Sequence, residues 1–418
     1  MEGRVRRDVR MRGFRERTSV EAALAILEAR VGRLGDERVP LVEACGRVAS
    51  EEVTASVSVP HFARAAMDGY ALRGEATFGA TAFAPVALQL VGASWPGRPF
   101  GGAVGAREAV RITTGAPVPE GADAVLMAEY ADEEPSNAAR PRVWAREAVP
   151  PGKHVAQVGE DLLAGAAVVA AGRKLRPQDL GVLASTGVGS VRVIRRPSVH
   201  ILVTGDELLP PGSIPEGARI VDANSLVLGA LARRDGAAEV TVTYVADRRE
   251  AVRAAMGGAP EDVVLVSGGS SVGPEDHAPL VLAEIGEVAV HGVAVRPSSP
   301  AGFGFLPDGR AVFLLPGNPV SCLCAYELFA GPSIRGLGGL PRAWPHRRRR
   351  CTVGRRIVSE IGRMDYVRVR IEEERVIPLM TSGASILTST TRADGVVLVP
   401  ADEEGYGEGA EVEVLLYD

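Results

Sequence analysis

Residues 263–277 read VVLVSGGSSVGPEDH. Four apolar residues run directly into a loop of two glycines and two serines, and an Asp and a His follow a few positions later. A short apolar run that ends at a Gly-rich turn is typical of a fully buried strand. The apolar stretch APLVLAEIG over 278–286 is long enough for a helix, so this part of the chain predicts a strand, a loop and a helix in succession.

The same order repeats on both sides of this stretch. Strands are predicted at HILVT (200–204) and VTVTYV (240–245), and helices at SLVLGALARRDG (225–236) and EAVRAAM (250–256). Alternating strands and helices indicate right-handed crossovers, a parallel sheet and helices on its faces. Ligands bind to such sheets beyond the carboxyl ends of the strands.

The segment that follows is predicted to add a hairpin and one more helix. The hairpin turns at 307–309, and the helix starts with Asn318 as cap and Pro319 at its first position. A helix is also expected over 18–31, where Thr18 and Glu21 have capping-box spacing.

The rest of the chain has the character of β structure. Short Val- and Ala-rich runs broken by Gly and Pro fill residues 53–150, and alternating apolar and charged residues at 367–372 and 411–414 predict a small barrel or sandwich. A length of 418 residues predicts two to four domains.

Composition argues against several classes of protein. No apolar run approaches the roughly 18 to 20 residues that a transmembrane helix needs. A net charge of −5 and an aromatic content of 5% do not suit a nucleic-acid binder. The four cysteines fit neither a disulfide framework nor a zinc site, so we expect a cytoplasmic protein. From the apolar runs, the charge and the aromatic content, we expect neither membrane nor nucleic-acid partners.

Carboxylates collect where the predicted strands end. Asp206 and Glu207 follow the first strand, Asp247 the second and Asp276 the third. A parallel sheet would bring these side chains to one rim, beside the Gly-rich loop and the helix that starts at PGNP. Carboxylates suit Mg²⁺, and bare backbone N–H groups suit a phosphate. The alternative is a plain turn after each strand, with the acids as helix caps.

For other polar residues, the sequence alone does not decide between a structural and a functional role. Asp68 with Gly69, and residues 113–115, could form tight turns. His277 and His291 could be core or surface residues. The basic run 347–350 could be a solvated linker.

Taken in order, motifs along nearly the whole chain resemble the molybdopterin molybdenumtransferases, the family of MoeA and of the gephyrin E domain. The motifs are VPLVEACGRVASEEV (39–53), AMDGYAL (66–72), RITTGAPVPEGADAV (111–125), GEDL (159–162), TGDEL (204–208), VDANS (221–225), SGGSSVGPEDH (267–277), LLPGNPVS (314–321) and RMDYVRV (363–369).

The resemblance implies a multidomain α/β plus β protein, with boundaries that agree with the patterns above. Its parts are a solvated or disordered basic extension (1–17), an elongated discontinuous N-terminal α+β domain (18–60 and 148–195), an inserted β module (61–147), a parallel-sheet α/β molybdopterin-binding domain (196–340) and a C-terminal β-barrel (345–418).

The activity that the resemblance implies is insertion of molybdate into adenylylated molybdopterin, with release of AMP and help from Mg²⁺, by a homodimer. The site residues carried over by motif fall into three sets. The catalytic candidates are Asp68, Thr114, Asp161, Glu207, Asp247 and Asp276. The ligand-binding candidates are Gly205, Gly268, Gly269, Ser271, Arg296, Pro316, Gly317 and Asn318. The metal-binding candidates are Asp206, Glu207 and Asp276.

One departure from the family pattern concerns charge. The family usually has Lys-Pro-Gly-Lys-Pro where this chain reads RPSSP at 296–300. Arg296 keeps the first cation, but Ser299 cannot replace the second. Ala65 and Val158 also stand where the family often has Ser and Arg. The anion site is therefore expected to be less basic than usual.

Two alternatives follow from these departures and from the α/β domain. One is a catalytically weak or inactive paralogue that binds molybdopterin or a protein partner. The other is the related adenylylation step, against which the β modules and the GED and AMDGYA motifs argue.

Overall fold

The structure is a computed structural model that describes residues 17–134, 141–270, 276–380 and 383–417. Residue Ser271 and residues 1–16 of the basic extension lie outside the described residues. The chain forms two compact units, one of residues 38–193 and one of residues 1–37 with 194–418. Within the described ranges, no helix is long and apolar enough to cross a membrane.

The helices are given first, in chain order. They are α1 (Val20–Arg30), α2 (Pro177–Ser185), α3 (Asn224–Arg234), α4 (Arg249–Gly258), α5 (Ala278–Ile285), α6 (Pro319–Ala325), α7 (Gly331–Leu337) and α8 (Thr388–Thr391). A π-helical turn over Tyr326–Ala330 joins α6 to α7.

The strands up to residue 194 are β1 (Asp36–Pro40), β2 (Val53–Thr54), β3 (Arg64–Ala65), β4 (Gly69–Leu72), β5 (Val86–Ser94), β6 (Glu108–Ile112), β7 (Ala124–Met127), β8 (Ala131–Glu133), β9 (Arg142–Ala145), β10 (Val155–Ala156), β11 (Ala167–Val169) and β12 (Ser190–Ile194). Those that follow are β13 (Ser198–Thr204), β14 (Leu208–Leu209), β15 (Ile220–Val221), β16 (Glu239–Val245), β17 (Val263–Ser267), β18 (Glu287–His291), β19 (Val295–Arg296), β20 (Gly302–Phe305), β21 (Ala311–Leu315), β22 (Arg348–Val353), β23 (Ile357–Val358), β24 (Met364–Glu372), β25 (Arg375–Met380), β26 (Gly395–Val399), β27 (Gly405–Tyr406) and β28 (Glu411–Leu416).

The unit of residues 38–193 is built mainly from β structure. Its largest sheet has six strands in the order β7-β4-β6-β5-β9-β8, and its core includes the buried side chains of Leu72, Leu88 and Leu126. Short ladders pair β3 with β10 and β2 with β11. All strands of the large sheet lie inside the 61–147 module that the sequence predicts.

The other unit contains a six-stranded α/β sheet in the order β16-β13-β17-β21-β20-β18. The first four of these strands run parallel, whereas β20 is antiparallel to β21 and β18 is antiparallel to β20. The hairpin predicted at 307–309 is the β20–β21 connection. The predicted α/β fold is confirmed, with a sheet that is mixed at one edge.

Helices cover both faces of this sheet. Helices α4 and α5 pack on one face through residues such as Met256 and Leu282. Helices α1, α3, α6 and α7 share a second core on the opposite face, in which Leu27 and Leu228 lie with Ile201. Helix α1 therefore packs with this unit. The predicted domain boundaries, including 18–60 for part of the N-terminal domain, stay predictions.

The C-terminal strands close into a barrel. The order β24-β25-β22-β28-β26 returns to β24 through a further pairing, and β19 adds in parallel to β24. Valines such as Val367, Val369 and Val412 fill the barrel interior, as their alternation predicts. Arg368 departs from that alternation, because its side chain is only 1% exposed.

Two helix starts differ in detail from the predicted caps. Ser19, and not Thr18, caps α1 by accepting a hydrogen bond from the backbone N–H of Ala22. Thr18 instead forms a backbone bridge with Val293. Asn318 precedes α6 as predicted, but its side chain makes no capping hydrogen bond.

A buried ionic cluster ties α3 to the π-helical turn and to α7. The carboxylate of Asp235 is 1% exposed and accepts hydrogen bonds from Arg335 at 2.7 Å and from the Tyr326 hydroxyl at 2.9 Å. Arg234 bridges Asp235 and the buried Glu327. Two charges in excellent geometry can coexist in such a core, but neither can be left alone there.

We therefore expect Asp235→Asn to cost about 3 kcal/mol or more of unfolding free energy, because it leaves the buried Arg335 without its counter-charge. The matched control is Glu413→Gln, which breaks an exposed pair with Arg348 and should cost less than about 1 kcal/mol. Chemical denaturation of both variants measures the difference. Equal costs would show that the buried cluster does not stabilise this unit.

Candidate functional site

A cavity lies at the carboxyl edge of the parallel strands because those strands end at the same level. Val203 pairs with Ser267, and Ser267 pairs with Leu315. The loops that leave β13, β17 and β21 therefore start side by side, as the sequence predicts for a ligand site in this fold.

The cavity has a volume of about 720 Å³. Its described lining combines strand ends and loops, carboxylates, and the approach to α6. These groups are Thr204, Gly205 and residues 267–270; Glu207, Asp222, Asp247 and Asp276; and residues 316–319, with Asn224, Pro300 and Ser385.

Gly268 is required by close backbone contact. It has φ +93°, and a Cβ on it would lie 2.5 Å from the carbonyl oxygen of Thr204. An L-residue would be strained by the dihedral and blocked by the neighbouring strand end. The Gly-rich loop can thus leave β17 directly over the end of β13, with its backbone exposed to the cavity.

Asn224 holds two sides of the cavity together. Its side-chain amide donates to the hydroxyl of Ser267 at 3.0 Å and to the carbonyl oxygen of Gly317 at 2.9 Å. The hydroxyl of Ser385, from the region of the barrel, donates to the side chain of Asn318 at 2.9 Å. These bonds fix the PGNP segment relative to the Gly-rich loop.

The carboxylates predicted at the strand ends do come together, but with different roles. Asp206 and Asp247 brace each other, since each carboxylate accepts the backbone N–H of the other residue at 3.1 and 3.2 Å. Glu207, Asp247 and Asp276 line the cavity, and Asp206 is not among its lining residues.

No group of three or more His, Cys, Asp or Glu side chains in the described ranges is arranged to hold a metal ion. Mg²⁺, however, commonly binds through one or two carboxylates and completes its shell with water and ligand phosphates. Glu207 and Asp276 supply that kind of donor, so the cavity fits a Mg²⁺ ion that arrives with a phosphate ligand.

A second cavity, the arginine cavity, shares Pro300, Pro316 and Asn318 with the first and has a volume of about 330 Å³. Its described lining is Arg17, residues 295–300, Pro316, Asn318, Ser321, Arg363, Gly383 and Ala384. Arg296, predicted to bind ligand, donates through Nε to the buried Asp365 at 2.9 Å.

Asp68 and Thr114, both in the unit of residues 38–193, are in direct contact. The backbone N–H and the hydroxyl of Thr114 donate to one oxygen of Asp68 at 2.6 and 2.8 Å. These two hydrogen bonds hold the pKa of Asp68 below its ordinary value, and the exposed carboxylate stays ionised. Asp161, the third candidate of this unit, is exposed.

His291 lies behind the Gly-rich loop, with Nε2 3.0 Å from the carbonyl oxygen of Ser270. Burial lowers the pKa of His291, so the imidazole is neutral near pH 7 and donates this hydrogen bond through Nε2. His277 precedes the first residue of α5. Neither histidine lines the cavity.

Several lining residues were absent from the predicted site. Asp222, Asn224 and Ser267 belong to the motifs VDANS and SGGSSVGPEDH, but they were not among the predicted site residues. The motif VDANS was the available signal for the first two. Ser385 comes from a part of the chain with no such motif, and its approach depends on the folding of the barrel.

Comparison with known proteins agrees with this architecture. Three family models match in order: "MoeA N-terminal region (domain I and II)" over residues 18–187, "Probable molybdopterin binding domain" over 200–336, and "MoeA C-terminal region (domain IV)" over 350–417.

Two curated relatives are both named as molybdopterin molybdenumtransferases. Molybdopterin molybdenumtransferase 2 of Mycobacterium tuberculosis is 33% identical, over 90% of this chain and 94% of its own. The Haemophilus influenzae protein is 30% identical, over 90% of this chain and 93% of its own.

The crystal structure of the molybdopterin biosynthesis protein MoeA of Pyrococcus horikoshii superposes with a TM-score of 0.82 at 32% identity. It covers 96% of this chain and 99% of that one. The fold and the cavity define an α/β ligand-binding protein with an additional β unit and a C-terminal barrel. The chain belongs to the MoeA family of molybdopterin molybdenumtransferases, and the resemblance found in the sequence is confirmed.

The close approach at Gly268 predicts that Gly268→Ala lowers the unfolding free energy by more than about 2 kcal/mol, because strained dihedrals alone cost about 1–3 kcal/mol. The control is Gly258→Ala at the end of α4, where a Cβ meets nothing within 4 Å; alanine there should be neutral or stabilising. Thermal unfolding compares the two. A Gly268→Ala protein as stable as wild type would contradict the contact with Thr204.

The hydrogen bonds at Asp68 predict a pH effect with a definite sign. Thr114→Val removes the hydroxyl donor and keeps the backbone donor, so the pKa of Asp68 should rise but remain below its ordinary value. Thr114→Ser should leave it unchanged. Because the folded-state pKa is lowered, the stabilisation exists above the unfolded-state pKa and is lost as pH falls through the folded-state value. Carboxyl NMR titration of the three proteins measures it; an unchanged pKa in Thr114→Val would contradict the hydroxyl contact.

Proposed function

We propose that this protein inserts molybdate into adenylylated molybdopterin and releases AMP, as a step of molybdenum cofactor biosynthesis. The observation that carries the proposal is the cavity at the carboxyl edge of the α/β sheet, where a bare Gly-rich loop faces the carboxylates Glu207, Asp247 and Asp276. The names of the relatives favour a transferase over a catalytically weak or inactive paralogue that binds molybdopterin or a protein partner.

The diphosphate of the substrate fits the Gly-rich side of the cavity. Gly268 and Gly269 present backbone without side chains, and both have positive φ. The N–H of Gly268 is already donated to the carbonyl oxygen of Leu315 at 3.1 Å, so we assign the contact with an anion to the next residue, Gly269. Residues 316–318 line the cavity directly beside this turn, since a Cβ on Gly317 would lie 3.7 Å from Cα of Gly268, and Asn224 holds them there. We therefore assign the phosphate groups to the part of the cavity that both segments face.

Glu207 and Asp276 are the residues that would hold Mg²⁺ with the diphosphate. Gly205 matters here, since a Cβ at this position would lie 2.8 Å from a carboxylate oxygen of Glu207. The Glu207 side chain folds back over Gly205 toward the strand end. When bound, Mg²⁺ would offset the negative charge that grows as the phosphoanhydride breaks. Asp247, braced by Asp206, keeps the rim in place.

The reaction needs no covalent intermediate with the protein. An oxygen of water or molybdate bonds to one phosphorus of the phosphoanhydride as the bridging P–O bond breaks, so that AMP and molybdopterin each keep a complete phosphate. Protons from water pass to solvent, and an oxygen taken from molybdate breaks its bond to molybdenum, where a dithiolene sulfur takes its place. The buried thiols do not compete as nucleophiles, because burial raises the pKa of Cys322 to about 12 and keeps it protonated. Cys324 is shifted in the same direction by burial.

The candidates Asp68, Thr114 and Asp161 belong to the other unit, and their part in the reaction is also a proposal. We propose that the protein works as a cytoplasmic homodimer in which these residues complete the site. Asp68 suits such a role, since Thr114 keeps its carboxylate ionised and fixed in orientation.

The decisive assay is release of AMP from adenylylated molybdopterin by the purified protein, with and without molybdate and Mg²⁺. Release should require both. Glu207→Gln should lower the rate by about 100-fold or more, as expected for loss of a group that orients the metal and the phosphate.

The control is Glu216→Gln, an exposed carboxylate between β14 and β15, which should keep wild-type activity. Folded wild-type protein without molybdate-dependent AMP release would overturn the proposed function. Full activity of Glu207→Gln would instead show that the chemistry takes place away from this cavity.

A further inference from the structure

Charge balance in the arginine cavity depends on few groups. Three guanidinium groups, those of Arg17, Arg296 and Arg363, belong to its described lining. Two carboxylates lie against them. Asp365 is 1% exposed and pairs with Arg296, and Glu360 accepts from Arg363 at 2.9 Å.

Arg296 and Arg363 are therefore largely neutralised by the protein itself. Asp365 also accepts a hydrogen bond from the hydroxyl of Ser359 at 2.8 Å and lies 3.6 Å from Nε of Arg363. The buried Asp365 keeps Arg296 oriented, and the two carboxylates offset the charge of Arg296 and Arg363 at a distance. A ligand anion needs a cation beyond these pairs.

Arg17 is that cation. The side chain of Arg17 is exposed, and it forms no ion pair with any residue in the described ranges. Its backbone is fixed beside the cavity, because the N–H of Thr18 donates to Gly292 at 3.0 Å and the N–H of Ala294 donates to the carbonyl oxygen of Thr18 at 2.8 Å. The segment thus runs alongside the strand that leads to Arg296.

Ser299 lines the cavity with a side chain that is polar but uncharged. Its hydroxyl is buried and has no hydrogen-bond partner among the described residues, a condition that costs free energy. The neighbouring Ser298 hydroxyl donates to the carbonyl oxygen of Ser321 at 2.7 Å. The wall therefore carries no charge of its own at position 299.

We propose that Arg17 gives the arginine cavity its excess positive charge and holds a tetrahedral oxyanion, molybdate, next to Ser299. Arg17 thereby supplies from the N-terminal segment the charge that the family pattern carries on a lysine at the position of Ser299. This inference rests on the proposed function in its choice of anion. It makes Arg17 a binding residue that no motif of the chain marks.

The expected effect follows from Coulomb's law. We take a dianion about 5 Å from an exposed guanidinium group and an effective dielectric constant near that of water. Removal of the guanidinium charge then lowers the affinity of the protein for the dianion roughly tenfold. Arg17→Gln should weaken molybdate binding by about this factor, and added salt should reduce the difference.

The test is equilibrium binding of molybdate to the full chain, measured by calorimetry without any molybdopterin. Arg33→Gln is the matched control, because Arg33 is also an exposed arginine near the N-terminus; it should bind as wild type does. The double variant Arg17→Gln/Ser299→Lys should recover most of the affinity, since a cation returns to the same cavity. Circular dichroism confirms the fold of each variant.

Binding that is unchanged in Arg17→Gln, or absent in wild type, would overturn the proposal even if AMP is released normally. A loss in Arg17→Gln without rescue by Ser299→Lys would also contradict it. Titration with AMP separates the alternative anion: weakening of AMP but not of molybdate would assign Arg17 to the nucleotide phosphate. Arg17-dependent molybdate binding would stand even if the AMP-release assay failed.

Discussion

The register of the parallel strands β13, β17 and β21 is the constraint on which the candidate site depends. Val203, Ser267 and Leu315 lie on one level across the sheet, so the three loops that follow must share one edge. A shift of any strand by one residue would turn its side chains to the opposite face and expose part of the core. The hydrophobic cores on both faces of the sheet therefore also hold the cavity in place.

Contacts outside the sheet also fix the positions of the loops at its carboxyl edge. Gly268 can approach Thr204 only because it has no side chain, and Asn224 connects the Gly-rich loop with the PGNP segment through two hydrogen bonds. Asp206 and Asp247 use their carboxylates on each other's backbone. The cavity is thus fixed by local polar bonds in addition to the packing of the sheet, which suits a site that must orient a charged ligand.

Features that depend on local sequence patterns could be predicted, whereas features that depend on contacts between distant parts of the chain could not. The apolar runs and their spacing predicted the strands around VVLV, and the parallel topology then followed from the alternation with helices. The carboxylates at the strand ends were predicted for the same reason. Their separate roles were not predicted, because the bracing of Asp206 by Asp247 depends on the geometry of two loops that are far apart in the chain.

Other features depend on tertiary packing that no local pattern encodes. Alternation along β24 predicted an exposed Arg368, but this face of the barrel packs against the second core of the α/β unit, where Tyr366 and Leu415 are also buried. Helix α1 was predicted, whereas its position on the sheet was not. Arg17 belongs to the same group, since only the bridge between Thr18 and Val293 brings it to the arginine cavity.

In the proposed function, the cavity at the carboxyl edge of the α/β sheet binds the adenylylated substrate. A crystal structure of the full chain with AMP and Mg²⁺ tests it most directly. We expect the phosphate of AMP within hydrogen-bonding distance of the backbone at Gly269 or Asn318, with the metal on Glu207 or Asp276. Ordered AMP bound elsewhere on the protein, with this cavity empty, would contradict it.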